Sequence, residues 1–304
     1  MAVLRRALEQ LRADTHRQRI VERDPLACVL AYPAPEDREV AGLIAALLAY
    51  GRVDLLCAHL REVLRCLGEH PASRLRAGLP RLPELAYRFH RTEDLRALLS
   101  GMRTLLLRHG SLGQAFQRHW RSSRELRAAL SAFVEELRAA SGEAGPGLRF
   151  LLADPLRGGA CKRWLLFLRW MARSDPGDPD PGPWSRWLPA SELLVPLDTH
   201  LVRVSRRLGF TARRTASWRM AEEVTAILRR LCGEDPLRYD MPLCYLGIRG
   251  YCPPKLGVGA CMRCPLVRAC PTGGSWAGGR RGAKRGGHGG AGPGRRLEPR
   301  TGRA

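Results

Sequence analysis

Four cysteines towards the end of the chain have a spacing that suits a metal cluster. Cys252, Cys261, Cys264 and Cys270 form the pattern C-x8-C-x2-C-x5-C within 19 residues. Four thiolates carried by one compact loop can hold a [4Fe–4S] cluster. A four-cysteine zinc site is the main alternative, although such sites usually contain two C-x2-C pairs and only one is present here. The remaining alternative is four structural thiols without a metal, the role expected for the other six cysteines, which occur singly on helical faces.

A glycine-rich segment in the middle of the chain precedes a predicted helix. Gly158 and Gly159 lie just before Lys162. Backbone N–H groups at such a helix start can face a phosphate without obstruction by side chains. Many helix N-termini have this composition, so an ordinary turn between helices is the alternative. Lys162 is one of three lysines beside 48 arginines. Because a guanidinium is effectively never deprotonated, arginine cannot take the role of a nucleophilic amine.

Asp198 is a second candidate for chemistry. It lies 36 residues after Lys162, within the segment Val195-Pro-Leu-Asp-Thr-His-Leu-Val-Arg-Val204. A helix is predicted from Thr199, so an N-cap role would by itself explain the aspartate. The alternative is a carboxylate placed to stabilise a positive charge during a reaction.

The charge of the chain favours a polyanionic partner. The net charge is +22, with 51 basic and 29 acidic residues. Residues 272–304 contribute eight basic residues and one acidic residue, so about +15 remains on the other 271 residues. Such an excess suits nucleic acid. Genome composition can exchange lysine for arginine, but it does not by itself create a surplus of basic over acidic residues.

The elements that must position these residues are predicted to be helices. Apolar residues recur at three- and four-residue spacing almost throughout, which predicts an all-α fold. The predicted helices are residues 1–20, Glu36–Leu67 with a break near Gly51, Thr92–His109, Leu112–Trp120, Arg124–Ala140, Lys162–Arg173, Thr199–Leu208, Thr215–Cys232 and a short one near Pro236–Leu246. Breaks fall at 141–147 and, more strongly, at the Pro/Asp/Gly-rich segment 174–189. No apolar run is long enough to span a membrane and no signal-peptide core is present, so we expect a cytoplasmic protein with reduced or metal-bound cysteines.

The order of these features resembles the endonuclease III branch of the helix–hairpin–helix DNA glycosylases. The resemblance extends from about residue 20 to 271, but only three blocks match closely. The matching residues are Leu156, Gly158 and Lys162 in the hairpin, Asp198, Thr199, His200, Arg203 and Val204 in the second block, and the last three cysteines by their spacing. More narrowly, the segments Phe167-Leu-Arg-Trp-Met171 and Pro196-Leu-Asp-Thr-His200 look like a related bacterial family of unassigned function.

The resemblance implies two helical domains, a helix–hairpin–helix barrel and an iron–sulfur cluster domain, on either side of a DNA-binding cleft. The implied divisions are 1–34 as an N-terminal helix packing with the C-terminal domain, 35–173 as the barrel with its hairpin at 156–164, 174–190 as a Pro-rich loop, 191–271 as the cluster domain and 272–304 as a disordered Gly/Arg-rich tail.

The same resemblance implies a DNA-repair glycosylase that excises a damaged or mismatched base and cleaves abasic sites. Its implied catalytic residues are Lys162 and Asp198, and its cofactor is a [4Fe–4S] cluster held by the four cysteines. The implied DNA contacts are Arg157, Gly158, Gly159, Arg163 and His200. We expect a monomer that binds double-stranded DNA in the nucleoid.

Several residues depart from the family pattern and leave an alternative open. Ala160 replaces a hairpin glycine, Trp164 replaces a small residue, and Tyr50 lies near the position of a glutamine that fills the gap left by a flipped base. The separation of Lys162 and Asp198 is about twice the usual one. A non-catalytic protein that binds DNA structures through the same scaffold is therefore the alternative function. A zinc-containing regulator is a third hypothesis, weakened by the single C-x2-C pair.

Two aromatic features are predicted to be structural. Tyr87 and Phe89 are interpreted as core residues, with a platform for a base as the alternative. Trp184 and Trp187 are interpreted as packing against the barrel, with stacking on a base as the alternative.

Overall fold

The computed structural model describes residues 1–17, 24–143, 145–175 and 178–278. These residues form an all-α fold, which confirms the predicted class, and within them the only β pairing is an isolated bridge between Tyr87 and His90. The helices of the described ranges are α1 (Ala2–Arg17), α2 (Leu26–Leu30), α3 (Pro35–Leu47), α4 (Val53–Leu67), α5 (Pro71–Ala77), α6 (Thr92–His109), α7 (Leu112–Ser123), α8 (Leu126–Ser141), α9 (Pro146–Leu151), α10 (Lys162–Ala172), α11 (Thr199–Arg207), α12 (Trp218–Leu231), α13 (Asp240–Ile248), α14 (Val258–Arg263) and α15 (Pro271–Gly278).

The long periodic segment after residue 35 forms two helices with a turn at the predicted break. Helix α3 begins with Pro35, whose fixed φ suits the first helical position, and has acidic residues in its first turn. Gly51 in the turn has a φ of +91°, and a Cβ there would lie 2.4 Å from the Tyr87 hydroxyl. Glycine is therefore required at this position both for its backbone conformation and for the close approach of Tyr87.

The helices pack in two groups that share one continuous apolar core. In the first group α3 is central and packs against α2, α4, α5, α7 and α10. Helices α6, α8 and α9 complete this group. In the second group α11 and α1 both pack against α13. Glu9 of α1 accepts hydrogen bonds from Arg238 at 3.1 Å and from the Tyr239 hydroxyl at 2.6 Å, so the N-terminal helix is held by residues far along the chain.

Arg169 of α10 and Arg173, the residue directly after α10, connect the two groups. Arg169 forms an ion pair with Asp240 at 2.7 Å, and Arg173 forms one with Asp235 at 2.6 Å. Arg173 also forms an ion pair with Asp178 at 2.6 Å, in the Pro-rich loop that follows α10. All of these side chains are at most 15% exposed. The inter-group contact is therefore a buried network of charges as well as apolar packing.

The Pro-rich loop is packed against the first group. The Trp184 indole donates to the buried carboxylate of Glu39 at 2.7 Å, and Gly113 N donates to the other oxygen of that carboxylate at 2.9 Å. Trp184 is 1% exposed and stacks on Phe116 and Trp187. The structural interpretation of this loop is therefore confirmed for Trp184.

Replacing Arg173 with methionine is expected to lower the free energy of unfolding by about 3–5 kcal/mol, because the buried carboxylates around it lose their counter-charge. Urea unfolding of both proteins at the same pH measures the change. Arg52→Met is the matched control, since Arg52 pairs with Asp54 at the surface, where both side chains are more than half exposed. An Arg173→Met protein as stable as the control would contradict the assigned network.

The ends of the described chain differ slightly from the predicted ones. Helix α1 ends at Arg17, and the remainder of the predicted helix lies outside the described residues. Helix α15 covers Pro271–Gly278, so helical structure continues beyond residue 272, where the tail was predicted to begin. The prediction of disorder for residues 279–304 concerns a segment outside the described residues. No helix in the described part of the chain has the length and apolar character needed to cross a membrane.

Candidate functional site

The glycine-rich segment forms an exposed hairpin between α9 and α10. Pro155–Arg157 form a 3-10 turn, stabilised by the Asp154 carboxylate, which accepts from Leu156 N at 2.9 Å and from the Ser131 hydroxyl at 2.6 Å. Gly158 follows with a φ of +87°, in the region that favours glycine. Both glycines are exposed, and a Cβ on either would meet no atom within 4 Å. The tip of the hairpin is therefore open to a ligand.

A basic cleft lies beside this hairpin. Its volume is about 610 Å³, and its walls come from the end of α3, from α8, from α9 and from the start of α10. The charged residues that line it are Arg138, Arg149, Asp154, Arg157, Lys162 and Arg163. Five cations face one carboxylate, so the cleft suits an anionic ligand such as a phosphate chain. Of the predicted site residues, Arg157, Gly159, Lys162 and Arg163 line it together.

Lys162 is the first residue of α10 and is partly buried. Its ammonium forms no hydrogen bond or ion pair with a described residue. The charge of Lys162 acts on two nearby groups: it lowers the pKa of the Asp24 carboxyl and that of the Cys244 thiol, although burial raises both pKa values overall. An amine that stays unpaired in a basic cleft is available to a substrate.

Arg163 has a different position from its neighbour. Its guanidinium donates to Leu47 O at 3.0 Å and to Phe150 O, and it lies 4.1 Å from the centre of the Phe150 ring. Burial lowers the pKa of this guanidinium to about 10. Arg163 thus joins the end of α3 to α9 and forms part of the cleft wall.

Aromatic side chains cluster around Tyr50, one of the residues that line the cleft. The ring centres of Tyr50 and Phe150 are 5.1 Å apart, and those of Phe89 and Phe150 are 4.8 Å apart. Phe89 is 56% exposed and Phe150 is 37% exposed. The interpretation of Phe89 as a core residue is therefore wrong: the short bridged turn between Tyr87 and His90 carries this side chain outwards.

A chain of hydrogen bonds leads from Tyr50 to two buried histidines. The Tyr50 hydroxyl contacts His90 Nδ1, and His90 Nε2 lies 3.0 Å from His59 Nε2. Burial raises the pKa of Tyr50 to about 12 and lowers that of His90 to about 4. His59 is shifted in the same direction as His90, also by burial. All three groups are therefore neutral at physiological pH.

The depressed pKa of His90 predicts acid sensitivity. Its folded pKa of about 4 lies below the ordinary value of 6.5, so the folded state is favoured above pH 6.5 and loses stability as the pH falls towards 4. We expect the melting temperature to fall less over this range in His90→Gln than in the wild type. His70→Gln is the control, since the His70 side chain is 69% exposed. An equal fall in wild type and His90→Gln would contradict the assigned protonation state.

Asp198 caps helix α11, as the sequence predicts. Its Oδ1 accepts from Leu201 N at 2.6 Å, and its Oδ2 accepts from the Cys244 thiol at 2.9 Å. Asp198 and His200 are not among the residues that line the basic cleft. His200 Nδ1 lies 3.0 Å from the Arg203 guanidinium, and His200 packs against Gly247 of α13. The Cys244 thiol donates to Asp198, and the charge of Lys162 lowers the pKa of the same thiol. Cys244 therefore lies within electrostatic reach of both catalytic candidates.

The four cysteines of the terminal loop line one small cavity. It encloses about 280 Å³ including its opening to solvent, and Arg207, Leu256, Val267 and Thr272 also contribute to it. No three of the four sulfur atoms lie within 4.8 Å of one another. A tetrahedral zinc ion with bonds of about 2.3 Å needs sulfurs about 3.8 Å apart. The four sulfur atoms are therefore not in the arrangement of a tetrahedral zinc site.

The thiols of this cavity influence one another. Burial and the neighbouring cysteines raise the pKa of Cys264 to about 11, and burial with the same kind of neighbours raises that of Cys261. Without a metal these two thiols remain protonated at neutral pH. A metal cluster would bind them as thiolates and release their protons.

Helix α11 joins the cysteine loop to Asp198. Arg207, at its C-terminal end, donates to Cys252 Sγ at 3.1 Å and to Pro253 O at 2.6 Å. Arg203, one turn earlier, donates to Cys252 O at 2.7 Å. The loop is therefore attached to the helix whose other end is capped by Asp198.

Sequence reasoning missed two features of this region. Cys244 was grouped with the structural cysteines, and Phe150 was not singled out. The sequence does contain a signal that Cys244 lies near a carboxylate. Cys244 follows Asp240 by four residues, so both side chains lie on the same face of the helix. The exposure of the Phe89–Phe150 pair depends on a turn and on helix packing, which have no sequence motif.

Comparisons with known proteins give one positive result. Neither the curated proteins nor the solved structures contain a match to this chain. A family model described as "Protein of unknown function (DUF2400)" matches residues 24–249, about three quarters of the chain. This range includes the hairpin, the basic cleft, Asp198 and Cys244, and it ends just before Cys252. The chain therefore belongs to the DUF2400 family.

Proposed function

We propose that the protein is a DNA-repair glycosylase that excises a damaged or mismatched base and cleaves the resulting abasic site. The observation that carries the proposal is the unpaired ammonium of Lys162 in a cleft with a strong excess of cations. The arginines of the cleft and the open backbone of Gly158 and Gly159 suit phosphates of a DNA strand, while the exposed rings of Phe89 and Phe150 suit contact with bases. In this proposal the two groups of helices are the two domains on either side of the DNA.

The proposed chemistry uses an amine and a carboxylate. The neutral amine of Lys162 attacks C1′ of the damaged nucleotide, and the N-glycosidic bond breaks with its electron pair leaving on the base, which takes up a proton. The attached nitrogen then bears two protons: one goes to the departing base, and the other goes to O4′ as the C1′–O4′ bond breaks and the sugar ring opens. The nitrogen lone pair forms the C=N bond of a Schiff base to C1′. The carboxylate of Asp198 stabilises the positive charge that develops on the sugar. Arginine at position 162 could not perform the first step.

We propose that Cys252, Cys261, Cys264 and Cys270 hold a [4Fe–4S] cluster. Such a cluster would fix the loop that presents Arg263 and Arg268, and it would support the end of α11 through Arg207. The cluster serves here as a structural centre, and no chemical step is assigned to it. Anaerobically purified protein is expected to contain iron and acid-labile sulfide in equal amounts. Cys261→Ser is expected to lose both, whereas Cys66→Ser, at a thiol outside the loop, keeps them; a zinc-loaded wild type would overturn the assignment.

The function is tested with wild-type protein and a panel of duplexes. Each duplex carries one damaged or mismatched base or an abasic site, and borohydride is added to reduce any Schiff base to a stable amine. We expect a covalent protein–DNA adduct with the abasic duplex and release of a base from at least one lesion. Absence of both across the panel would overturn the enzymatic proposal.

A second candidate is a non-catalytic protein that binds DNA structures. It is favoured by the position of Asp198, whose two oxygens both accept hydrogen bonds within the protein and which does not line the basic cleft. This candidate predicts salt-sensitive binding to the same duplexes without an adduct and without base release.

A further inference from the structure

Cys244 lies between two buried or half-buried carboxylates. It is on α13, one turn after Asp240, and its Sγ lies 2.9 Å from Asp198 Oδ2. Asp240 is 4% exposed and its charge is matched by Arg169 at 2.7 Å. Asp240 therefore already has a cationic partner, whereas among the described residues the only donors to the Asp198 carboxylate are the Leu201 amide and this thiol.

The close approach of α11 and α13 fixes this contact. At Gly247 of α13, a Cβ would lie 2.4 Å from His200 Nδ1 and 2.7 Å from His200 Cβ. Only glycine lets the two helices come so near. Because Gly247 follows Cys244 by three residues, both lie on the face of α13 that meets α11, and Cys244 is placed opposite the cap of that helix.

The Cys244 thiol is protonated and is therefore the donor in its hydrogen bond with Asp198. Burial, followed by the negative charge of Asp198, raises the pKa of the Cys244 thiol well above its ordinary value. The charged groups around the Cys244 thiol are Asp198, which directly precedes α11, Asp240 on the same helix as Cys244, and Lys162 at the start of α10. With Leu201 N on Oδ1 and the thiol on Oδ2, both oxygens of Asp198 are oriented by the protein.

We propose that Cys244 is a positioning residue, whose S–H donates to Asp198 and holds that carboxylate in a fixed orientation. The catalytic consequence rests on the proposed glycosylase function, but the contact itself does not. The thiol is a weak donor, and together with Leu201 N it fixes the direction in which the two oxygens of Asp198 point.

The contact is tested by the reactivity of Cys244 in the full-length protein. Iodoacetamide reacts with the thiolate, and the rate at each cysteine is measured by peptide mass spectrometry. Asp198→Asn and Asp198→Ser remove the charge but keep a residue that caps α11. We expect alkylation of Cys244 to become about tenfold faster in both variants, because loss of the Asp198 charge lowers the pKa of the thiol and increases the thiolate fraction. The rate at Cys28, which is half-buried elsewhere, is expected to stay the same and reports any general loosening.

The positioning role is tested by substitution of the thiol. Cys244→Ala is expected to slow base release about tenfold, which corresponds to about 1.4 kcal/mol, because Asp198 Oδ2 loses the donor that orients it. Cys244→Ser is expected to restore most of the rate, because it replaces the donor; a role in packing alone would leave the two variants equal. Unchanged Cys244 alkylation in the Asp198 variants, or equal rates for Cys244→Ala and Cys244→Ser, would overturn the inference. If the wild type releases no base from any duplex, the proposed function falls, and the alkylation rates alone decide whether Cys244 holds Asp198.

Discussion

Lys162→Gln is expected to abolish the borohydride-trapped adduct with an abasic duplex, a loss of roughly three orders of magnitude or more. The reason is chemical, because glutamine has no amine to attack C1′ and the cleft offers no second lysine. Lys162→Arg should lose the adduct equally, although it keeps the positive charge, since a guanidinium is not deprotonated under these conditions. Trapping is measured as a shifted band on a denaturing gel, with DNA affinity measured in parallel.

The controls separate chemistry from binding. Lys255→Gln removes another of the three lysines, an exposed one in the cysteine loop, and is expected to form the adduct at the wild-type level. Lys162→Arg is expected to bind the duplex with nearly unchanged affinity, because one cation replaces another among the five in the cleft. Adduct formation by Lys162→Gln would show that another amine is the nucleophile and would remove Lys162 from its proposed role.

Asp198→Asn is expected to slow base release by about 10²–10³-fold, the range found when one group that stabilises charge developing in the transition state is lost. Asparagine is nearly isosteric and is a good N-cap, so α11 is expected to keep its start and the protein its melting temperature. The decisive measurement is single-turnover release of the base from the best substrate in the panel. Arg157→Met, which removes an exposed hairpin cation, is expected to weaken DNA binding instead.

Comparison of Asp198→Asn with Arg157→Met distinguishes a catalytic group from a group that only binds DNA. A carboxylate that stabilises developing positive charge affects the rate once DNA is bound, whereas a phosphate contact affects the affinity and its dependence on salt. If Asp198→Asn releases the base at the wild-type rate with unchanged stability, the aspartate is a helix cap alone, and the non-catalytic or lysine-only alternatives gain accordingly.

The long helices could be predicted because their own sequences contain the necessary signals. Residues Thr92–His109 were predicted and observed with the same bounds, since the apolar period of about 3.6 is uninterrupted and Gly110 ends it. The short helices α2, α5 and α9 were missed, because five to seven residues are too few to show a period. Their formation depends on packing and on caps such as Asp37, which accepts from Ala72 N at 2.8 Å.

The candidate site could be predicted in parts, but its assembly could not. Arg157, Gly159 and Lys162 are close in sequence, so their shared cleft follows from one hairpin. The contact of Asp198 with Cys244 spans 46 residues and depends on the crossing of α11 and α13 at Gly247. In the Pro-rich loop the packing of Trp184 was predicted, whereas the ion pair of Asp178 with Arg173 was not, because no sequence motif indicates it.

The attachment of α1 has a consequence for the order in which the chain folds. Glu9 and its partners Arg238 and Tyr239 are separated by about 230 positions, so α1 emerges from the ribosome long before the groups that hold it exist. The helices from α3 to α10 meet mostly near neighbours and can assemble during synthesis. The second group can close only after translation has passed α13, and until then the apolar face of α1, with Leu4, Leu8 and Leu11, remains without its final partner. The late joining of these distant segments is thus the step at which nascent chains are most exposed to aggregation and to capture by chaperones.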